Sequence, residues 1–321
     1  MQRDVVIGQT LPADPVTRIA TPDASRGAPT PEKGMNMDKT IGNPITWVAR
    51  NLRATSDHVT ESVTEIGSAD VQALPTVHTL TLQDLRECLK AGYNDFLETR
   101  ADAIFVVLIY PIAGLLMFGI GLNKDMVPLL APLVMGFALI GPVAAVGLYE
   151  ISRKREQGGD VHWLDAFGVF RSPSFGAILA LGFYLVMLLM IWLMVAQGIY
   201  AQTLGPEPPA SAMAFVTEVF TTGAGWSMII IGTVTGFLFA LVALALSVVS
   251  FPLLLDRKVG VPVAVVTSVR VLRQNPGVIL TWGAIVAAML VLGAIPMLLG
   301  LIVVMPVLGH ATWHLYRRAV A

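Results

Sequence analysis

The chain has 321 residues, of which 55% are hydrophobic and only 13% are charged, and its mean hydropathy is +0.70. Soluble domains carry about 25% charged residues, so this composition excludes a water-soluble monomer. The net charge of −1 provides no global field for nucleic acid, and none is expected as a partner. The single cysteine, Cys88, excludes an intramolecular disulfide and a thiolate-only metal cluster. We therefore expect the lipid bilayer to be the main partner of the chain.

Residues 1–78 differ in composition from the rest of the chain. They contain seven prolines, seven Lys or Arg, nine Asp or Glu and a single aromatic residue, Trp47. Such a segment cannot bury enough apolar surface to offset the entropy lost on ordering. The composition predicts a disordered cytoplasmic tail over 1–78, followed by a transmembrane domain over 79–321. Met35 and Met37 leave open whether translation starts at a later methionine.

Long uncharged stretches in residues 79–321 predict membrane-spanning helices. The longest, Gln274–Tyr316, has 43 residues without Asp, Glu, Lys or Arg. This is too long for one crossing of ~30 Å of hydrocarbon and long enough for two, with Pro296 at the turn. The same reasoning predicts six spans, at residues 103–122, 126–149, 175–200, 226–250, 277–295 and 297–316. A five-span alternative stays open if the proline-rich second segment is re-entrant.

Basic residues mark one side of the predicted bundle. Thirteen Lys and Arg fall in the segments on that side, whereas the opposite side has only Lys124. Cytoplasmic loops carry the excess of Lys and Arg in membrane proteins. The asymmetry predicts a multi-pass protein of the bacterial inner membrane, with an even number of spans and with both termini in the cytoplasm.

The predicted spans group into three hairpins, each preceded by an amphipathic stretch. These stretches cover residues 82–96, 163–170 and 263–272, where apolar residues recur at helical spacing beside polar ones. Amphipathic helices of this kind lie flat at the membrane interface. We therefore predict an all-α, polytopic membrane helix bundle of three hairpin repeats with interface helices. Such repeats occur in transporters and in bundles that transport nothing.

Four ionisable residues near the cytoplasmic ends of predicted spans are the candidate site. His310 and His314 are four residues apart, so they share one helix face. They could form a haem or metal ligand pair or a proton relay, or serve packing alone. Glu150 and Asp256 could meet them at the mouth of a cavity, or pair locally with neighbouring arginines. Because no ligand set is complete, we assign no catalytic, cofactor or metal residue.

Small residues on the fourth predicted span indicate close helix packing. Gly232 and Gly236 are four residues apart, and small residues at this spacing let helices approach each other. The contact could lie within the chain or between two copies. The sequence contains no Walker A loop, no H-E-x-x-H and no G-x-S-x-G motif. We therefore do not expect an enzyme.

Three runs of the sequence resemble an uncharacterised bacterial membrane family, a domain of unknown function seen mostly in proteobacteria. They are Leu82–Phe96, Ser250–Arg257 and Gly300–Arg317, and the resemblance covers roughly residues 80–318. It implies a multi-pass inner-membrane protein without established activity. Members are sometimes labelled cytochrome c oxidase subunit I. That label does not fit, because a haem–copper subunit needs histidines deep in several spans, whereas only His310 and His314 lie in a predicted span here.

The preferred functional hypothesis is a structural, assembly or accessory component of a membrane complex, such as a respiratory complex. A small-solute transporter or channel remains an alternative. A haem- or metal-binding protein that uses His310 and His314 is another. Substrate, partner and oligomeric state stay open at this stage.

Overall fold

The computed structural model describes residues 74–107, 112, 114–116, 119, 126–159, 161–296 and 298–321. Within these ranges the chain is mainly helical, and its only extended pairing is an isolated antiparallel bridge between Val77 and Val320. The all-helical prediction is confirmed. The predicted tail lies outside the described residues except for 74–78, and so does much of the first predicted span.

The described α-helices are numbered here in chain order. They are α1 (Leu82–Val107), α2 (Val127–Phe137), α3 (Gly141–Ala144), α4 (Val146–Glu156), α5 (Phe175–Thr203), α6 (Ala212–Thr221), α7 (Gly223–Ser247), α8 (Ser250–Asp256), α9 (Val261–Gln274), α10 (Pro276–Ala294) and α11 (Leu301–Ala319). Short 3₁₀ helices cover Ala138–Ile140 and Trp163–Arg171. Residues 112, 114–116 and 119 are also helical.

Four helical segments in the described part of the chain are long and apolar enough to cross a membrane. They are Val127–Glu156, Phe175–Thr203, Gly223–Asp256 and Pro276–Ala294, and they overlap the second to fifth predicted spans. The sixth predicted span is the helix α11, which is not among the four. The reason is its composition, because two histidines and two arginines lie in its second half. Length and composition therefore support four of the six predicted spans.

Proline shapes the first of these four segments. The α-helical ladder of α2 gives way to a 3₁₀ turn at Ala138–Ile140 and resumes at Gly141. Pro142 has no N–H to donate to the Ala138 carbonyl, so the regular bonding pattern is interrupted just before it. The Trp192 indole donates a hydrogen bond of 2.9 Å to the Pro132 carbonyl oxygen and so ties α2 to α5. The segment stays helical over 30 residues, and an 18-residue window within it has a mean hydropathy of 2.2.

The helix α5 is apolar around its whole circumference. Leu181, Leu185 and Trp192 are buried inside the bundle, whereas Phe183 and Met194 on other faces are 61% and 72% exposed. Such exposed surface is unfavourable in water but matches a hydrocarbon solvent. The exposed faces of α5 are therefore suited to lipid.

The helices α1 and α11 pack closely and run antiparallel. Asp84, near the start of α1, meets Arg318, near the end of α11. About two turns after Asp84 on α1, a Cβ atom at Gly92 would lie 2.5 Å from the Ala311 nitrogen and 2.7 Å from the Val307 carbonyl oxygen of α11. Only glycine fits at this distance. The first amphipathic stretch is thus part of the long helix α1 and packs against the last helix of the chain.

We expect Gly92→Ala to destabilise the protein by about 1–3 kcal/mol, because the added methyl group must push α1 and α11 apart. Gly232→Ala is the matched control, since nothing lies within 4 Å of a Cβ at that position. The measurement is the thermal unfolding midpoint of the purified protein in a neutral detergent. Equal midpoints for the two variants would contradict this helix contact.

Candidate functional site

Four chain segments that are predicted from the sequence to lie on the same side of the membrane meet at one end of the bundle. Their residue ranges are 75–98, 150–171, 256–275 and 310–321. Ion pairs and hydrogen bonds join them, including Arg318 to Asp84 at 2.6 Å. The side chain of Asn275 also accepts a hydrogen bond of 2.7 Å from the Leu80 N–H and donates one to the His78 carbonyl oxygen. We call this meeting place the charged end.

His314 lies in an ionic chain between α11, α1 and α4. Its Nε2 atom is 2.8 Å from Asp95 Oδ2, and Asp95 is 3.2 Å from Arg155. Arg155 also pairs with Glu98, which is more exposed. Burial would raise the pKa of the Asp95 carboxyl, but the hydrogen bond and charge of His314 outweigh it and hold that pKa below its ordinary value of 3.8. Asp95 is therefore an ionised anchor for α11.

His310 is completely buried one helical turn away and binds a different element. Its Nδ1 atom is 2.6 Å from the Ser152 hydroxyl on α4. Its Nε2 atom has no hydrogen-bond partner among the described residues. The neutral ring can donate or accept across the contact with Ser152, depending on its tautomer. The two histidines thus fasten one face of α11 to two neighbouring helices.

The two acidic candidates are paired separately. Glu150 accepts two hydrogen bonds from the Arg153 guanidinium, at 2.7 and 2.9 Å, which is the local pairing that the sequence allowed. Asp256 accepts hydrogen bonds from the Tyr316 hydroxyl at 2.6 Å and from Arg317 at 3.3 Å. In the described chain, no hydrogen bond or ion pair joins Glu150, Asp256 and the two histidines to each other. The four lie at the same end without forming one cluster.

Several residues of this end were not singled out from the sequence. Asp95 and Ser152, the partners of the two histidines, are examples. Another is Glu156, which accepts hydrogen bonds of 3.0 Å from the Trp313 indole and from Arg317. Helical spacing could have indicated that Trp313 and Arg317 act together, because they are four residues apart and share a face of α11. Nothing in the sequence pointed to their partners on other helices.

The two glycines of α7 occupy different surroundings. A Cβ at Gly236 would lie 3.2 Å from the Trp192 ring of α5, so this glycine lies at a helix contact within the chain. At Gly232 nothing described lies within 4 Å of such an atom. The stripe of small residues therefore meets a neighbouring helix at one of its two positions.

The described residues offer no ligand set for a metal ion. Among the described residues, no group of three or more His, Cys, Asp or Glu is placed to hold a metal ion. The expectation that the chain has no cofactor or metal stays a prediction. Two clefts open at the charged end, with volumes of about 270 and 240 Å³. The smaller is lined by Arg153, Glu156, Gln157, Asp256, Trp313 and Arg317.

Residues 130–256 match the family model described as Predicted integral membrane protein (DUF2189). The match agrees with the resemblance to an uncharacterised membrane family, although it spans a shorter part of the chain. No curated protein and no solved structure matches the chain. Together with the four apolar helices, the family match identifies a multi-pass integral membrane protein.

We expect Asp95→Asn to lower the free energy of unfolding by about 2 kcal/mol at neutral pH, because a charged hydrogen bond to His314 is lost. The folded-state pKa of Asp95 is depressed, so its stabilisation is complete above 3.8 and is lost as the pH falls through the folded-state pKa. The difference between wild type and variant should therefore stay in place down to about pH 3.8 and shrink as the pH falls further.

The matched control is Glu98→Gln, which removes an exposed carboxylate that pairs with the same arginine. This exposed pair should contribute below about 1 kcal/mol. Thermal unfolding in detergent across the acidic range measures both variants. A constant difference between wild type and Asp95→Asn at every pH would refute the role assigned to this carboxylate.

Proposed function

We propose that the chain is a six-span protein of the bacterial inner membrane, with both termini in the cytoplasm, and that it acts as a non-catalytic structural, assembly or accessory component of a membrane complex. The meeting of four chain segments at the charged end carries this proposal. It supports both the topology and the role.

The topology argument rests on chain connectivity. Residues 75–98, 150–171, 256–275 and 310–321 lie at the same end, so the chain must leave that end and return between each consecutive pair of segments. Each excursion contains two of the predicted spans. The sixth span is then α11, whose polar residues are covered by α1, α4 and α8 rather than by lipid. Its lower hydropathy is compatible with a crossing, because protein surrounds those polar groups.

The role follows from how the charges are used. Asp84, Asp95, Glu156 and Asp256 each bind a residue of α11. Such mutual pairing holds the helix ends in one arrangement and leaves apolar faces outward. The outward faces of α5 and α7 carry exposed Phe, Met, Leu and Ile side chains. Spans of partner proteins, such as those of a respiratory complex, can pack against these faces.

We expect reporter fusions to place both chain ends and Lys258 in the cytoplasm, and Lys124 and Glu207 outside. The physical reason is the cost of moving the basic segments across the membrane. Compartment-specific activity of alkaline phosphatase and green fluorescent protein fusions at these five positions provides the measurement. Chain ends located in opposite compartments would eliminate the six-span topology.

We expect the tagged full chain, expressed from its own promoter and solubilised in a mild detergent, to co-purify with a membrane protein partner in a fixed ratio. The same preparation in a harsh detergent is the control, because it should release the partner while keeping the tag accessible. Size-exclusion chromatography with mass spectrometry measures the complex. A homogeneous species containing only this chain and lipid would count against an accessory role.

A further inference from the structure

The larger cleft at the charged end lies between the 3₁₀ helix Trp163–Arg171, the start of α5 and the end of α8. Its volume is about 270 Å³, which is enough for a small anionic group. Ten residues line it: Arg153, Gly168, Arg171, Ser172, Pro173, Ser174, Leu255, Asp256, Arg257 and Lys258. Four of them are basic and one is acidic, so the lining carries an excess of positive charge.

Two of the basic residues are already engaged. Arg153 is paired with Glu150 at 2.7 Å, and Arg257 lies 4.0 Å from Asp256 and donates a hydrogen bond of 2.9 Å to the Ala321 carbonyl oxygen. The other two, Arg171 and Lys258, are exposed, and they have no ion-pair partner in the described part of the chain. Their charges are available to a ligand. This excess of positive charge distinguishes the cleft from the network of paired charges beside it.

Ser174, at the start of α5, lies at the same cleft. The helix α5 begins at Phe175, whose N–H donates a hydrogen bond of 3.0 Å to the Ser172 carbonyl oxygen. Ser174, immediately before the helix, is only 6% exposed and lines the cleft. Its hydroxyl has no hydrogen-bond partner among the described residues. Such a hydroxyl can donate a hydrogen bond to an oxyanion that enters the cleft.

The cleft also lies beside an apolar surface. On the 3₁₀ helix that ends at Arg171, the side chains of Leu164, Phe167 and Phe170 are exposed. Exposed aromatic and aliphatic groups next to basic ones are typical of segments at the membrane interface. The phosphate groups of lipids also lie at the membrane interface.

We propose that this cleft binds a phosphate group, carried either by an anionic lipid headgroup or by a free phosphate ion. Arg171 and Lys258 supply the charge. The Ser174 hydroxyl supplies a hydrogen bond. Basic side chains form strong charge-assisted hydrogen bonds to phosphate oxygens.

The test uses the purified full chain in a neutral detergent. Calorimetric titrations with inorganic phosphate and with short-chain phosphatidylglycerol give the two affinities, and short-chain phosphatidylcholine is the neutral reference lipid. The variant is Arg171→Gln with Lys258→Gln. We expect its affinity for the bound probe to fall roughly 25-fold, since each basic side chain near an anionic group contributes about fivefold.

The matched control is Lys90→Gln with Arg273→Gln, which removes two exposed basic residues of the same end that do not line the cleft. It should keep the wild-type affinity. The single variant Lys258→Gln, with a loss of about fivefold, tests the same point if the double variant does not fold. Thermal unfolding of each variant without ligand checks folding.

The two probes distinguish the source of the phosphate. Selective binding of phosphatidylglycerol assigns a lipid headgroup, and selective binding of inorganic phosphate assigns a free ion. The absence of both, equal binding of phosphatidylcholine and phosphatidylglycerol without phosphate binding, or equal losses in the cleft and control variants would overturn the proposal. None of these results depends on a protein partner, so failure here is separable from failure of the accessory role.

Discussion

A charged side chain in hydrocarbon costs at least about 2.5 kcal/mol, and this cost organises the whole molecule. The chain has few charges outside its first 78 residues, and the described ones gather where they can reach water or one another. Because most of the described charges lie at one end, the apolar segments between them must run away from that end and come back. The common end of the charged segments therefore follows from where charge is permitted.

Within the charged end, pairing offsets the cost of partial burial. The carboxylate of Asp95 keeps a depressed pKa because His314 and Arg155 surround it, even though burial acts in the opposite direction. Asp256 accepts hydrogen bonds from the Tyr316 hydroxyl and from Arg317. Each of these contacts connects helices distant in sequence, so the network also determines which helices are neighbours.

The helix α11 shows how a helix of moderate hydropathy fits into such a bundle. His310, Trp313 and Tyr316 are buried against other helices, and each has a polar partner there. Close approach is possible because Gly92 leaves room for its backbone. The polar residues of α11 are accommodated because protein surrounds them, whereas the apolar exposed residues of α5 are suited to lipid.

The sequence alone determined the solvent of the molecule, its helical class, four of its membrane segments and the side that carries its charge. These properties depend on composition and on the spacing of charges, which are local and additive along the chain. Only the tertiary structure decided that His310 and His314 bind separate partners, that Glu150 pairs locally, and that Arg171 and Lys258 line one cleft. These are contacts between residues far apart in sequence, and their formation depends on how helices pack rather than on the pattern of any single helix.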